Sequence, residues 1–195
     1  MQKTIKNLAA AFVGESQARN RYTYYAKIAQ KEGYEQIGAI FLETAEQEKT
    51  HAKRLFEHLQ ELKKKSGEKL TEILVEGAAV PLIYGQTAEN LKAAISGEHH
   101  EYAEMYPDFS RQAKQEGLEA IADRLKNIAI AEKHHEERYI KLLKQLENRT
   151  IFKKGKAVWW VCRECGYAHF GQTAPKICPS CDHPQAFYQL KCENY

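Results

Sequence analysis

The chain has 195 residues, a net charge of +3, 43% hydrophobic residues and 28% charged residues. This length fits one medium domain, or a helical domain followed by a small second one. Acidic and basic residues are interspersed, so no nucleic-acid-binding surface is expected. There is no apolar run as long as a membrane span and no apolar signal core near the N-terminus. We therefore expect a cytoplasmic protein.

The first two predicted elements are long amphipathic helices. The first runs from about residue 4 to about residue 30, and Glu15 interrupts its apolar line. The second covers roughly residues 35–64, with apolar residues at steps of three and four. Glu48 and His51 lie on that apolar face and are predicted to point inward with the leucines. Because an unpaired buried charge is costly, these groups need a partner.

A long connection and a third helix follow. Residues 68–86 are too apolar for a flexible linker, so we expect them to pack along a helical bundle as a crossover. The third helix presents Glu98 on its inner side, together with either Glu101 or Tyr102. The sequence thus places a further carboxylate on a third core-facing surface.

The fourth predicted helix repeats the layout of the second. Its Glu132 and His135 form a Glu-x-x-His motif eighty-four residues after the motif of the second helix. Glu15 and Glu98 match at a shift of eighty-three. Self-similarity at a fixed period indicates a duplication, here of a helix pair.

The change of shift by one residue predicts a local distortion. The second copy gains a residue between Glu98 and Ala113, an interval that also contains Pro107. An extra residue within a helix is usually absorbed as a π-bulge, often at a functional site. We therefore predict a distorted third helix just after Glu98 and Glu101. Glu101 has no counterpart in the first copy, where Ala18 occupies the equivalent place.

The paired Glu-x-x-His motifs predict a two-metal site. Residues three apart on a helix can bind one ion, and two such helices plus a Glu from each of two others form the di-iron or di-manganese site of four-helix bundles. An oxygen-rich set with two imidazoles favours iron or manganese, and zinc can replace them in preparations. The predicted ligands are Glu15, Glu48, His51, Glu98, Glu101, Glu132 and His135.

Roles within this set follow from the duplication. Glu48 and Glu132 are the candidates to bridge two metals, and Glu101 is the additional carboxylate. Tyr22 and Tyr102 are spaced to hydrogen-bond ligand carboxylates, although either could equally be a core residue.

The C-terminal part predicts a second metal site. The helical pattern ends near residue 148, residues 149–156 resemble a linker, and residues 157–195 form a small domain. Two Cys-x-x-Cys pairs offer four thiolates to one tetrahedral zinc or iron ion: Cys162, Cys165, Cys178 and Cys181. A structural zinc ribbon and an iron centre are both compatible with this spacing. In either case the metal must hold the small domain together.

Across essentially its whole length the chain resembles the rubrerythrin family. The helical part carries Gly14-Glu15-Ser16-Gln17-Ala18-Arg19-Asn20-Arg21-Tyr22, both Glu-x-x-His motifs, Gly97-Glu98-x-x-Glu101 and Met105-Tyr106-Pro107. The C-terminal part carries Cys162-Arg163-Glu164-Cys165-Gly166-Tyr167 and Cys178-Pro179-Ser180-Cys181. The resemblance implies a mainly α protein, with a ferritin-like four-helix bundle and a small rubredoxin-like domain of short β-strands and knuckles.

The resemblance also implies a function. Members of this family are non-haem peroxidases that reduce hydrogen peroxide to water and protect against oxidative stress. Electrons enter through an Fe(Cys)4 centre from a donor such as a rubredoxin or its reductase, and pass one at a time to two iron ions. Family behaviour implies that one iron exchanges His51 for Glu101 on oxidation. It also implies a homodimer, in some members with swapped helix pairs.

Two other functions are compatible with the same residues. The site could act as a ferroxidase or oxidase that uses dioxygen. Alternatively, the chain could store iron or sense metals, with a structural zinc ribbon at the four cysteines.

Overall fold

The computed structural model describes residues 3–67, 69, 71–76 and 79–193. Its helices are α1 (Lys3–Lys31), α2 (Glu35–Ser66), α3 (Thr87–His100), a π-helix (Glu101–Met105), α4 (Tyr106–Gln115) and α5 (Glu119–Glu147). The strands are β1 (Lys153–Cys162), β2 (Ala168–Thr173) and β3 (Tyr188–Leu190), with a 3-10 helix at Gln185–Phe187. None of the helices in these described ranges is long and apolar enough to cross a membrane.

The helical part is the predicted four-helix bundle. Helices α1 and α2 form one hairpin, and its turn uses Gly33, whose φ of 84° is unfavourable for residues with a side chain. Helix α3, the π-helix and α4 follow one another without a break and pair with α5 through a turn at Gly117 (φ 73°). The two hairpins correspond to the two copies in the sequence.

The predicted distortion of the third helix is confirmed. The five residues Glu101–Met105 form a π-helix between α3 and α4. This segment falls within the interval where the shift between the copies changes. Pro107 lies in the first turn of α4, where its missing N–H is tolerated. The extra residue is thus absorbed by widening the helix, and the hydrophobic face stays in register on both sides.

Two hydrophobic clusters fill the bundle. One is formed by the first part of α1, the second half of α2, α4 and the first half of α5, and it contains Leu8, Leu55 and Leu125. The other includes the opposite ends of α1, α2 and α5 together with α3, and it is rich in aromatic residues such as Tyr22 and Phe41. The predicted ligands lie on each helix between these two clusters.

The crossover between α2 and α3 follows the bundle over much of its described length. Ile73 and Val75 pack against the first cluster, and the hydroxyl of Tyr25 donates a hydrogen bond of 2.7 Å to the carbonyl of Ile83. Leu74 and Leu82 remain largely exposed. Residues 68, 70, 77 and 78 of the predicted crossover lie outside the described residues.

The C-terminal part is a small antiparallel sheet in the order β2-β1-β3, built on a cluster that includes Trp160, Cys162, Cys178 and Tyr188. Strand β1 begins at Lys153, which pairs with Thr173. The segment between helix and sheet is therefore shorter than the linker predicted at residues 149–156. The lysine and glycine residues at 153–156 have the composition of a linker. They form a strand because they pair with a segment twenty residues further along the chain.

Candidate metal centres

Carboxylates and imidazoles meet at the middle of the bundle. Glu15, Glu48, Glu98 and Glu132 have no exposed surface, and His135 is only 2% exposed. The four carboxylates come from four different helices, α1, α2, α3 and α5, and His135 lies one turn after Glu132 on α5. Because charged side chains are almost never fully buried without a partner, this layer requires a cation.

One group of potential ligands surrounds His51. It consists of Glu15, Glu48, His51 and Glu132, with all ligand atoms within 4.8 Å of one another. The Nδ1 atom of His51 lies 2.9 Å from Glu48 Oε2, 2.9 Å from Glu132 Oε1 and 4.0 Å from Glu15 Oε1. These atoms converge closely enough to hold one ion.

A second group surrounds His135. It consists of Glu48, Glu98, Glu132 and His135, again within 4.8 Å. The Nδ1 atom of His135 lies 3.1 Å from Glu48 Oε1, 2.8 Å from Glu132 Oε2 and 3.2 Å from Glu98 Oε2. Glu48 and Glu132 therefore belong to both groups, and each turns one oxygen to each histidine. That is the arrangement of two bridging carboxylates.

Unpaired oxygens support a metal at this layer. Among the described residues, Glu15 Oε2, Glu48 Oε1 and both carboxylate oxygens of Glu132 are buried without a hydrogen-bond partner. Histidine nitrogens lie near these oxygens of Glu48 and Glu132 but outside hydrogen-bond geometry. A buried carboxylate oxygen without a partner is costly. Binding to a metal ion would satisfy these oxygen atoms, so the residues fit two hard cations.

The pKa values of the layer also reflect excess negative charge. Burial and the charge of Glu48 raise the pKa of Glu98 to about 8. Burial and neighbouring carboxylates, Glu132 first, raise the pKa of Glu15 well above its usual value. Burial alone would lower the pKa of His135, but Glu132, Glu48 and Glu98 raise it to about 12. The set thus holds protons where metal ions would replace them.

Glu101 lies beside the two groups rather than within either of them. It is the first residue of the π-helix, and its side chain is partly exposed. A Cβ atom added to Gly14 would lie 3.8 Å from Glu101 Oε1, so the carboxyl group faces α1. Removal from water and the charges of Glu98 and Glu132 raise its pKa well above the usual value.

Two tyrosines hydrogen-bond to the carboxylates, one from each copy of the duplication. The hydroxyl of Tyr22 donates a hydrogen bond of 2.5 Å to Glu98 Oε1, and that of Tyr106 donates one to Glu15 Oε1. Tyr102, for which the sequence leaves this role and a core position equally open, lies against the ring of His99 and beside Glu136.

The sequence contained a signal for Tyr106. It follows Tyr22 by eighty-four residues, which is the shift that holds after the inserted residue. The π-helix moves this position one residue further along the chain than a regular helix would.

Gln47 is a second residue at the site that no sequence pattern indicates. Its Oε1 atom lies 2.9 Å from Nε2 of His135, the ring nitrogen that faces away from the carboxylates. A hydrogen bond at this nitrogen fixes which ring nitrogen is available to a metal. No local pattern indicates this contact, because Gln47 is on α2 and His135 is on α5.

The four cysteines form the second centre. The Sγ atoms of Cys162 and Cys181 are 3.7 Å apart, and those of Cys165 and Cys178 are 3.6 Å apart. All four lie within 4.8 Å of one another. A tetrahedral ion with metal–sulfur bonds of about 2.3 Å requires sulfur atoms about 3.8 Å apart. The cysteine cluster therefore has the size of one tetrahedral metal site.

The protonation of these thiols also fits a metal centre. Burial tends to raise the pKa of Cys178, but the Tyr188 hydroxyl and the backbone N–H groups of Ser180 and Cys181 lower it to about 6. For Cys181 a backbone hydrogen bond from His183 lowers the pKa, whereas burial and the neighbouring thiols raise it to about 12. Four thiolates repel one another, and a bound cation relieves that repulsion.

Comparison with known proteins agrees with both centres. The Rubrerythrin family model matches residues 6–143, and the model for the rubredoxin-like domain of rubrerythrin matches residues 160–189. A protein of Methanocaldococcus jannaschii, provisionally named a rubrerythrin, is 58% identical over 100% of this chain and 96% of its own length. Rubrerythrin-1 of Clostridium acetobutylicum is 48% identical over 99% of this chain and 96% of its own.

Solved structures show the same relationship. Nigerythrin in a partially reduced state superposes with a TM-score of 0.64 and 30% identity, over 98% of this chain and 88% of that protein. Nigerythrin has also been solved in a fully reduced, all-ferrous state. The chain belongs to the rubrerythrin family, with a carboxylate and histidine site for two iron ions and a rubredoxin-like site of four cysteines.

Proposed function

We propose that this protein is a non-haem peroxidase that reduces hydrogen peroxide to water. In the balanced reaction, one peroxide molecule takes up two electrons and two protons, its O–O bond breaks, and two water molecules form. The observation that carries this proposal is Glu101, a protonatable carboxyl group on a π-helix, placed beside both metal groups but belonging to neither.

The residues that would hold the metals follow from the two groups. Glu15 and His51 would bind one iron, Glu98 and His135 would bind the other, and Glu48 and Glu132 would bridge them. Cys162, Cys165, Cys178 and Cys181 would bind the third iron. Iron at these centres would supply the two electrons, passed one at a time from the cysteine site to the carboxylate site.

Glu101 has the properties of a proton donor to peroxide. Burial and the charges of Glu98 and Glu132 raise the pKa of its carboxyl group well above the usual value, which favours the protonated form. A positioned carboxylic acid can protonate an oxygen atom as the O–O bond breaks, which makes water the leaving group. Because Glu101 lies outside the two metal groups, it can serve the substrate without giving up a ligand position.

A cavity provides space for a small substrate beside this carboxyl group. It has a volume of about 420 Å³ and is lined by parts of α1, the crossover, the π-helix and α4. Gly14, Gln17, Glu101 and Met105 are among its lining residues. Hydrogen peroxide is small, neutral and hydrogen-bonding, so it fits a mainly apolar cavity with a carboxyl group in its wall.

The cysteine centre provides a point of entry for electrons. Cys165 is exposed, whereas Cys162 and Cys178 are buried, so the centre reaches the surface on one side. We propose a small redox protein, such as a rubredoxin or its reductase, as the donor. We further propose that the protein acts in the cytoplasm, where thiols stay reduced, and that it functions as a homodimer.

One experiment separates the peroxidase from an oxidase. The full-length chain is reconstituted with iron, reduced without oxygen, and mixed in a single turnover with either hydrogen peroxide or dioxygen. We expect reoxidation by peroxide to be much faster. A faster reaction with dioxygen would overturn the peroxidase proposal and support a ferroxidase or oxidase.

A second experiment tests the electron relay. In Cys178→Ser we expect the red colour of ferric thiolate iron to be lost, along with steady-state peroxide reduction by an external donor. The chemically reduced carboxylate site should still react with peroxide in one turnover. Unchanged steady-state turnover, or a wild-type protein that works fully with zinc at the cysteines, would show that the cysteine site is only structural.

A further inference from the structure

The two histidines of the carboxylate layer differ in the hydrogen bonding of their Nε2 atoms. Both turn Nδ1 toward Glu48 and Glu132, at distances between 2.8 and 3.1 Å. The Nε2 atom of His135 is held by Gln47 Oε1 at 2.9 Å. For His51, the described residues provide no hydrogen-bond partner at Nε2, and its side chain is 14% exposed compared with 3% for His135.

The orientation of the Gln47 amide is set by hydrogen bonds to side chains farther from the metal site. Its Nε2 atom donates a hydrogen bond of 3.5 Å to Glu43 Oε1, one turn earlier on α2. Glu43 in turn accepts hydrogen bonds of 3.2 and 2.9 Å from the guanidinium of Arg138 on α5. Because the amide nitrogen faces a carboxylate, its oxygen must face His135. The chain Arg138–Glu43–Gln47–His135 therefore joins α2 to α5 and ends at a ligand.

The other copy has no such chain. Eighty-four residues after Glu43 and Gln47 stand Asn127 and Ala131, which lack the carboxylate and the long amide. Arg54, the counterpart of Arg138, donates instead to Glu57 on its own helix. The two halves of the site therefore have equivalent ligand atoms, but they differ in the hydrogen-bond partner of the histidine Nε2 atom.

A hydrogen-bond acceptor at Nε2 of a ligand histidine is expected to increase metal affinity. A histidine that binds through Nδ1 must keep its proton on Nε2, and an acceptor at Nε2 favours that tautomer and fixes the ring plane. Without an acceptor the ring must be ordered by the metal itself. Outer hydrogen-bond partners of metal ligands typically change affinity by about 10–100-fold.

We propose that Gln47 is a positioning residue that makes the two metal positions unequal, so that the His135 position binds its metal first and more tightly than the His51 position. The inference rests on the metal site and is independent of the proposed reaction with peroxide. A protein without peroxidase activity would still show it.

Metal titration tests the proposal. The full-length protein, with its cysteine site filled with iron, is stripped of carboxylate-bound metal by a chelator and titrated with Mn²⁺ alone. Electron paramagnetic resonance separates an isolated Mn²⁺ ion, which gives a six-line signal, from a spin-coupled pair. In the wild type we expect the singly loaded form to accumulate before the pair forms. In His51→Ala the tight step should remain, and in His135→Ala it should be lost.

Variants of Gln47 then identify the cause. We expect Gln47→Leu to weaken the tight step by about 10–100-fold while the weak step stays the same, and Gln47→Glu, which keeps an acceptor oxygen, to restore much of the loss. Ala131→Gln should strengthen the weak step. Gln60→Leu, at an exposed site on the same helix, is the matched control and should change neither step.

Three results would overturn the proposal. The first is two equal steps in the wild type. The second is a Gln47→Leu protein whose tight step is unchanged. The third is a Gln47→Leu protein in which both steps weaken alike and the melting temperature of the metal-free form falls, since that would show a role in packing alone.

Discussion

The two helix hairpins are copies of one unit, and their comparison separates the ligand residues that both copies share from the surrounding residues that differ. Each hairpin provides a Glu from its first helix and a Glu-x-x-His motif from its second. Each also provides a tyrosine that donates to the carboxylate of the other copy, Tyr22 to Glu98 and Tyr106 to Glu15. These shared parts are sufficient to form two similar ligand groups.

The copies differ at three places around the shared parts. Only the second has the π-helix and Glu101. Only the first copy has an amide side chain, that of Gln47, that hydrogen-bonds to the histidine of the other copy, His135. In addition, the core beyond His135 is aromatic, with Tyr22, Phe41 and Tyr139 in mutual contact, whereas the core beyond His51 is mainly aliphatic. The common set therefore forms the two ligand groups, and the differences make the surroundings of the two groups unequal.

The largest effect is expected where the two copies share a residue. Glu132→Gln replaces a carboxylate that faces both histidines with an amide that cannot bridge two cations. We expect loss of metal from both positions and a fall in peroxide reduction of about 10³-fold, because metal stabilisation is worth several kcal/mol. Metal analysis and a peroxide assay with a reduced donor measure the two effects.

The control for this variant is Glu136→Gln. Glu136 is also buried on α5, but it pairs with His99 outside the metal groups. It should keep both metals. If Glu132→Gln kept two tightly bound metals as well, the bridging role would be wrong.

A smaller effect is expected where the copies differ most. Glu101→Ala should retain two metals, since the two groups are complete without Glu101. Peroxide turnover should fall by about 10²-fold, the usual contribution of a positioned acid. Glu104→Ala, at an exposed position of the same π-helix, should behave like the wild type. Full activity in Glu101→Ala would remove the role proposed for this carboxyl group.

Much of this architecture was predictable from periodicity. Helical spacing placed Glu48 and His51 on the same face as the leucines of α2, and the duplication repeated that face on α5. The π-helix followed from a change of shift by one residue. These predictions succeeded because the register of a helix is a local property, which a single sequence records directly.

The contacts that were missed depend on how helices face one another. Tyr102 was a candidate to lie near the carboxylates from its spacing after Glu98, but a π-helix contains more residues per turn, and the position facing the site is Tyr106. The bond from Gln47 to His135 joins α2 and α5, and nothing in the local pattern of either helix specifies it. Likewise, β1 begins at Lys153 because β2 lies beside it.

The smallest effect is expected from the tyrosines, and it tests whether the two metal positions respond separately. Tyr22→Phe removes the hydrogen bond to Glu98, a ligand candidate only in the His135 group, and Tyr106→Phe removes the one to Glu15, a candidate only in the His51 group. Each should weaken Mn²⁺ binding about tenfold at one position and leave the other unchanged. Tyr25→Phe, which removes a buried hydroxyl that bonds to the crossover, should change neither. If each tyrosine variant weakened both positions equally, the bridging carboxylates Glu48 and Glu132 would couple the two ions so strongly that the site would respond as one unit.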